Sequence, residues 1–265
     1  MVVHDAPGSR VPWETLHSGG RFPAVTAGLS RRYLAENLSV AKWLEDRRQQ
    51  PALKVLLVVN PTQDLAGAEL EGQRVKKLLE EGLNSRPTVR DGTEATREAL
   101  RADLRSGKYD LIHYAGHAFF DPAEPSRSGI LCAGGQVLSG AELSGVGSLP
   151  NLVVFNACEA GRIRGAADRK KRHFDMARRI ERAVGLAESF LRGGIANYVG
   201  TYWPVGDAAA ERFAVVFHQQ LLRGESIGAA LLKARNEVQS LKPATVDWAD
   251  YIHYGDFNFT LKQPL

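Results

Sequence analysis

At 265 residues and 44% apolar content, the chain has the length and composition for one sizeable globular core. Its apolar runs are too short to span a bilayer, Met1 to Gly8 lacks the basic start and apolar stretch of a secretory signal, and two cysteines make no disulfide framework, so a reduced, cytoplasmic setting is expected. The net charge of +4 is uneven: Arg162 to Arg182 carries nine Lys/Arg against three Asp/Glu, which leaves the remainder slightly acidic and argues against taking the basic pI as a nucleic-acid signal.

Residues 1–27 are rich in Pro and Gly, show no sustained period, and read as an irregular arm pinned by Trp13, Leu16 and Phe22. A helix is expected over Leu29 to Arg48, where Leu34, Leu38, Val40, Ala41 and Leu44 share one broad face, with Pro51 ending it. Residues 1–50 are thus expected to pack as arm and helix on a domain covering 51–265. Lys54 to Val59 reads as the first central strand, closed by Asn60-Pro61, and Leu65 to Leu83 as an amphipathic helix. Thr88 to Arg90 is a short strand candidate, and Thr93 is the expected N-cap of a helix that stops at Gly107.

Tyr109 to His117 is a further strand. Gly129 to Leu138 reads as a hairpin turning at Gly134-Gly135, with Ser139 capping a short helix. Leu152 to Gly161 is an unbroken apolar run ending in Asn156-Ala157-Cys158, the pattern of a buried parallel strand. Beyond the basic segment come a helix to Arg192, a strand over Ile195 to Val199, and helices over Asp207 to Leu222 and from Ser226 to Leu241. A weakly alternating edge strand is expected over Ile252 to Phe259. Strands and helices that largely alternate predict an α/β sandwich with a mostly parallel sheet.

In open α/β sheets chemistry gathers at the carboxyl ends of the strands. If the strands ending at His117 and Cys158 are neighbours, the pair meets at one rim. A cysteine nucleophile needs a reachable thiolate, a base, and backbone N–H groups for the developing oxyanion; Cys158, His117 and the amides of Cys158 and the Gly116–Ala118 turn meet these needs. From residues alone a blander reading stands beside this one: Cys158 as a small buried hydrophobe, His117 as a hydrogen-bonded loop histidine. His113 reads as a packed neighbour and Cys132 as a hairpin cysteine. Asp121 and Glu124 read as solvated acids. No phosphate-binding glycine order and no paired His or Cys spacing is present, so no cofactor or metal is expected.

Three ordered segments, YDLIHYAGHA (109–118), LVVFNACEAG (152–161) and GLAESFLRGGIANYVGTYWPVGD (185–207), together with Asn60-Pro61 and Gly67 to Glu71, resemble the CHAT family. CHAT domains are caspase-like cysteine peptidases of the clan that holds separase. The resemblance covers most of the chain and implies a caspase-like three-layer α/β sandwich, with Cys158 as nucleophile, His117 as catalytic histidine and no cofactor. This clan usually has glycine directly after the histidine, and its amide serves the oxyanion; here the residue is Ala118, whose N–H serves equally unless the turn needs a positive φ. An acid at the rim recognises a basic residue before the scissile bond in the separase branch. Asp207 is placed for that role, with Trp203 and Tyr202 walling the groove; its alternative role is a helix N-cap.

The expected activity is therefore cysteine endopeptidase on a protein or peptide substrate, after a basic residue, with a regulatory sensor or repeat protein as a possible further partner. The basic segment after Cys158 is expected to be a mobile loop that is itself cut between Arg162 and Arg172. Two rival readings are a catalytically silent scaffold that binds a partner through the same groove, and nucleic-acid binding through the basic segment, which offers only His173 and Phe174 for stacking.

Overall fold

The computed structural model describes residues 1–33, 53–83, 86–119, 121, 124, 127–143, 149–159, 187, 190–191, 195–202, 205–241 and 245–261. Most of the expected first helix, the basic segment with its expected cuts, and Trp203 lie outside the described residues.

In chain order the elements are β1 (Val2–His4), α1 (Ala6–Ser9), β2 (Arg31–Tyr33), β3 (Val55–Val59), α2 (Ala66–Gly82), β4 (Thr88–Asp91), α3 (Arg97–Arg105), β5 (Leu111–Phe119), β6 (Gly129–Leu131), β7 (Val137–Ser139), β8 (Leu152–Glu159), β9 (Asn197–Thr201), α4 (Asp207–Leu222), α5 (Ile227–Leu241) and β10 (Tyr251–Tyr254). Short 3-10 turns link several of them. The sheet runs β1-β2-β10-β9-β8-β5-β3-β4, and the β6–β7 hairpin hangs from the end of β5. The five strands from β9 to β4 are mutually parallel; β10 reverses direction against β9, and β2 and β1 follow β10.

The unbroken apolar runs of β3 and β8 are buried because the sheet is covered on both sides. Alternate residues supply two cores. Leu57, Leu111, Val154 and Val199 pack under α2, α4 and α5, against Val75, Phe213 and Leu231. Leu56, Ile112, Phe155 and Tyr198 pack on the other face, against Leu100 and Leu104 of α3 and against Phe190. This is a three-layer α/β sandwich. α2 lies close on β3, since a Cβ at Gly72 would sit 2.5 Å from the Val59 methyls. On β5 and β9 a tyrosine folds back over a glycine two residues on, so that a Cβ at Gly116 would meet the Tyr114 hydroxyl at 2.6 Å and one at Gly200 the Tyr198 hydroxyl at 2.5 Å.

Several local expectations change. The first residues are not an irregular arm: β1 and β2 are strands of the same sheet. The expected helix does not begin at Leu29, because Arg31–Tyr33 is extended and paired with β1. The cause is a buried ionic cluster. The Arg31 guanidinium bonds Glu14 (Nε to Oε1, 3.0 Å) and the Ser9 carbonyl, and lies 4.7 Å from the Tyr202 ring centre. Arg235 of α5 donates to the carbonyls of Leu29 and Tyr251, and the Nη2 that reaches Tyr251 lies 3.9 Å from Glu14 Oε1. Trp13 and Phe22 pack against the core, whereas Leu16 is exposed. Thr96, not Thr93, caps α3, its hydroxyl accepting from the Ala99 N–H. β10 is an interior strand between β9 and β2, fully buried, where an edge strand was expected.

Burial of ionisable groups sets the stability profile. Burial pushes His113, His218 and His253 below the ordinary 6.5, so each folds uncharged. It raises Glu71, and lifts Asp250 to about 10 with help from Asp247. The histidines contribute stability that is present above pH 6.5 and lost as pH falls; the two carboxyls contribute stability that is lost as pH rises from their ordinary values, 4.5 and 3.8, through their folded ones. As pH falls below 6.5, the protons that these histidines and the likewise lowered His4 take up on unfolding outweigh those of the two carboxyls, and above it the raised carboxyls, joined at alkaline pH by the raised Cys132 thiol, act alone in the opposite sense. The thermal midpoint is therefore expected to peak at about pH 6.5 and to fall on both sides; a flat midpoint from about pH 5 to about pH 9 would refute this account.

Candidate functional site

β5 and β8 pair in parallel through eight consecutive positions, from Leu111↔Leu152 to Ala118↔Glu159, and this register sets His117 directly beside Cys158. Both positions lie at the carboxyl ends of their strands. His113, Ala115 and His117 form one alternate set on β5 and face the α2–α4 layer; position 158 continues the set of Leu152, Val154 and Asn156 on β8. The β6–β7 hairpin closes over the end of β5, pairing Ile130 with Ala118. The hydroxyl of Tyr114 lies 2.7 Å from the carbonyl of His117 and 2.7 Å from that of Leu131, so it fixes the histidine's backbone to the hairpin.

The side chain of His117 is held by a residue that the sequence reading missed. Its Nε2 lies 3.1 and 3.2 Å from the two carboxylate oxygens of Asp64. Asp64 accepts a further bond from the Thr62 hydroxyl, and that bond, with the one from His117, keeps its carboxyl below the usual range. A carboxylate only accepts, so Nε2 carries the hydrogen and Nδ1 is the free lone pair of the neutral ring. Among the described residues Nδ1 has no hydrogen-bond partner.

Asp64 is aimed by a tight loop between β3 and α2. The Asn60 N–H donates to the Ala115 carbonyl of β5 (2.8 Å), and the Asn60 side-chain oxygen accepts from the Leu65 N–H (3.2 Å). Asn60 and Gln63 take positive φ, 42° and 59°, and are the described non-glycine residues that do so. Backbone strain of this kind persists where surrounding bonds over-determine it. The signal in the sequence was Asn60-Pro61 at the end of a strand; Asp64 alone, in a polar turn, carries none.

The other expected residues fall as follows. Ala118 sits in a strand without positive φ, so its backbone is unstrained. Asp207 is the first residue of α4; Gly206 is the N-cap, and no side chain caps the helix, so the capping role does not apply. The Asp207 carboxyl is exposed and lies against α2, where a Cβ at Gly67 would stand 2.6 Å from its Oδ1. Tyr202 does not wall a groove: it is 4% exposed, its ring is covered by Arg31 and its hydroxyl donates to the Ser9 carbonyl. Cys132 is fully buried in the hairpin and its thiol is pushed up to about 12, chiefly by burial. His113 is likewise buried, bonded to Glu71 rather than to the rim. Among the described residues no group of three or more His, Cys, Asp or Glu could hold a metal, and no helix is long and apolar enough to cross a membrane.

A mostly parallel sheet with helices on both faces, and a histidine beside a cysteine at one rim, defines a caspase-like α/β protein. Solved structures of that class are similar to it. Separase of Saccharomyces cerevisiae, in its complex with securin, matches with a TM-score of 0.57 at 18% identity, over 95% of this chain and 15% of that one. The Arg-specific cysteine proteinase gingipain R matches with 0.57 at 10% identity, over 88% of this chain and 55% of that one. The complex of Porphyromonas gingivalis RgpB pro- and mature domains matches with 0.60 at 10% identity, over 90% and 58%. No curated protein matches the sequence. The chain belongs to the CHAT family: the family model described as CHAT domain matches residues 1–256.

If the strained loop aims Asp64, loosening it should cost stability locally. Asn60→Ala removes the acceptor for Leu65 and leaves a Cβ-bearing residue at positive φ, so urea denaturation should show a loss of about 1–3 kcal/mol. Asn60→Gly, which accepts the same φ, should cost less than Asn60→Ala; the reverse order would show that φ at this position is not limiting.

Proposed function

We propose that the chain is a cysteine endopeptidase in which Cys158 is the nucleophile and His117 its general acid and base. The observation that carries this reading is the register of β5 and β8, which sets the two residues side by side while Asp64 holds the far nitrogen of the imidazole. Nδ1 of His117 then takes the thiol proton. The thiolate attacks the scissile carbonyl, and the imidazolium returns the proton to the leaving amine, giving an acyl-enzyme that water hydrolyses. The backbone N–H groups of Ala118 and Cys158 receive the oxyanion; an ordinary strand conformation at Ala118 supports this, since alanine keeps the donor without strain. Asp64 is a positioning residue: it fixes the tautomer and stabilises the imidazolium as it forms.

Asp207 selects a basic residue before the cut. Its carboxyl is not consumed as a helix cap, and it stands at the start of α4 against the first turn of α2, the helix that follows Asp64. An exposed carboxylate at the rim of a partly desolvated groove discriminates for Arg or Lys. The substrate is a protein or peptide.

Purified protein with a peptide library that carries basic and apolar residues before the scissile bond, mapped by mass spectrometry, tests the reading. Cys158→Ala should abolish cleavage, and His117→Ala should come close. Asp64→Asn should lower kcat about tenfold or more with little change in KM. Asp207→Ala should lower kcat/KM selectively for substrates with Arg or Lys before the cut. Cleavage that survives Cys158→Ala would end the mechanism; a preference for apolar residues unaffected by Asp207→Ala would end the specificity assignment.

A further inference from the structure

Beneath the paired His117 and Cys158 lies a buried polar node that the proposed chemistry does not use. Asn156, two residues before Cys158 on β8, is 7% exposed. Its amide nitrogen donates to Glu71 Oε2 of α2 (2.9 Å) and to the Ala210 carbonyl of α4 (3.2 Å), and its oxygen accepts from the Tyr251 hydroxyl of β10 (3.2 Å). A main-chain carbonyl can only accept, so the orientation of the amide is fixed, and each polar atom of Asn156 is engaged. The other oxygen of Glu71 lies 2.8 Å from Nε2 of His113, four residues before His117 on β5. Glu71 is 2% exposed and His113 0%.

The protonation state of this node follows from its surroundings. No lysine or arginine bonds Glu71 among the described residues; burial raises its carboxyl and the carboxylates of Glu211 and Asp207 push the same way, against the Asn156 bond. Burial keeps His113 neutral. Glu71 is thus a carboxylic acid that donates through Oε1 to the His113 imidazole and accepts through Oε2 from Asn156.

We propose that Asn156 and Glu71 are positioning residues for the His117–Cys158 pair, tying β5, β8, α2 and α4 together below the rim. The backbone ladder already fixes β5 against β8. What the node adds is the height of the two helices over the sheet. Asp64 enters α2, and Asp207 opens α4 three residues before Ala210, so the node sets how those two carboxylates stand relative to His117 and Cys158. Its kinetic consequence rests on the peptidase reading above; its effect on the thiol does not.

The test uses two isosteric variants and two readouts. Glu71→Gln reproduces the neutral acid, with NH2 toward His113 and oxygen toward Asn156, and should match the wild type. Asn156→Asp puts an acceptor against Glu71 and the Ala210 carbonyl. It should lower kcat on Arg–X peptides about tenfold to a hundredfold, with KM within about threefold. In parallel, the rate of Cys158 alkylation by iodoacetamide is followed against pH, with buried Cys132 silent in the native protein. A thiolate paired with imidazolium alkylates below the ordinary thiol pKa of about 8.5, and Asn156→Asp should lose that reactivity while Glu71→Gln keeps it. If Asn156→Asp does not fold, Tyr251→Phe removes the hydroxyl that donates to Asn156 and should shift both readouts in the same direction by a smaller factor. A variant with a lowered thermal midpoint but wild-type kcat and alkylation profile would overturn the proposal. So would Glu71→Gln proving as harmful as Glu71→Ala. If the wild type cleaves no peptide, the peptidase reading fails and the alkylation profiles alone decide the positioning role.

Discussion

The parallel pairing of β5 with β8 is the constraint on which the rest of the molecule rests. A shift of one residue would move His117 away from Cys158 and carry every side chain of a strand to the opposite face. The register is held because both faces are buried: Leu111, Leu152 and Val154 have no place in the α3 layer, nor Ile112, Val153 and Phe155 in the α2–α4 layer. The loop after β3 is tied to the same strand, through the Asn60 N–H on the Ala115 carbonyl, two residues short of His117. Sheet register, loop strain and imidazole orientation are therefore one connected constraint.

The sheet is closed on its far side by charge. Glu14, Arg31 and Arg235 are all fully buried, and their bonds run to the β1–α1 segment, to the Tyr251 carbonyl of β10 and to the carbonyls before β2. Such a cluster stabilises little in net terms, since desolvating three charges offsets their attraction, but removing one member leaves an uncompensated charge in the core. Its role here is to specify where the first thirty residues go. Tyr202, just past the end of β9, is enclosed by the same cluster, which is why it faces inward.

The α/β character and the rim that carries His117 and Cys158 were legible because unbroken apolar runs ending in Gly or small residues mark buried parallel strands. The hairpin was legible from Gly134-Gly135, both at φ 72°. What could not be read had its physical cause in long-range partners. β1 and β2 are three residues each, and Arg31 reads as a surface cation until Glu14 is brought beside it. Glu71 reads as one more charge on an amphipathic helix; only the close approach of α2 at Gly72 shows that it faces the sheet. Asp64 needed the folded loop. β10 reads as an edge because nothing in its own residues tells that β2 returns to cover it.

Tyr114 folds over Gly116, and Tyr198 over Gly200, on the two strands that flank β8. Each pair behaves as a single two-residue word. A side chain at the glycine collides with the ring, and loss of the ring from its close-packed site opens a cavity of a kind that costs about 3–5 kcal/mol. Either first step is deleterious alone, and each is tolerable only in the company of the other. Sequence change at the rim must therefore cross a valley at these places, and descendants of this chain should keep or exchange the members of a pair together, a coupling that arises from packing and is independent of whatever is bound or cut above them.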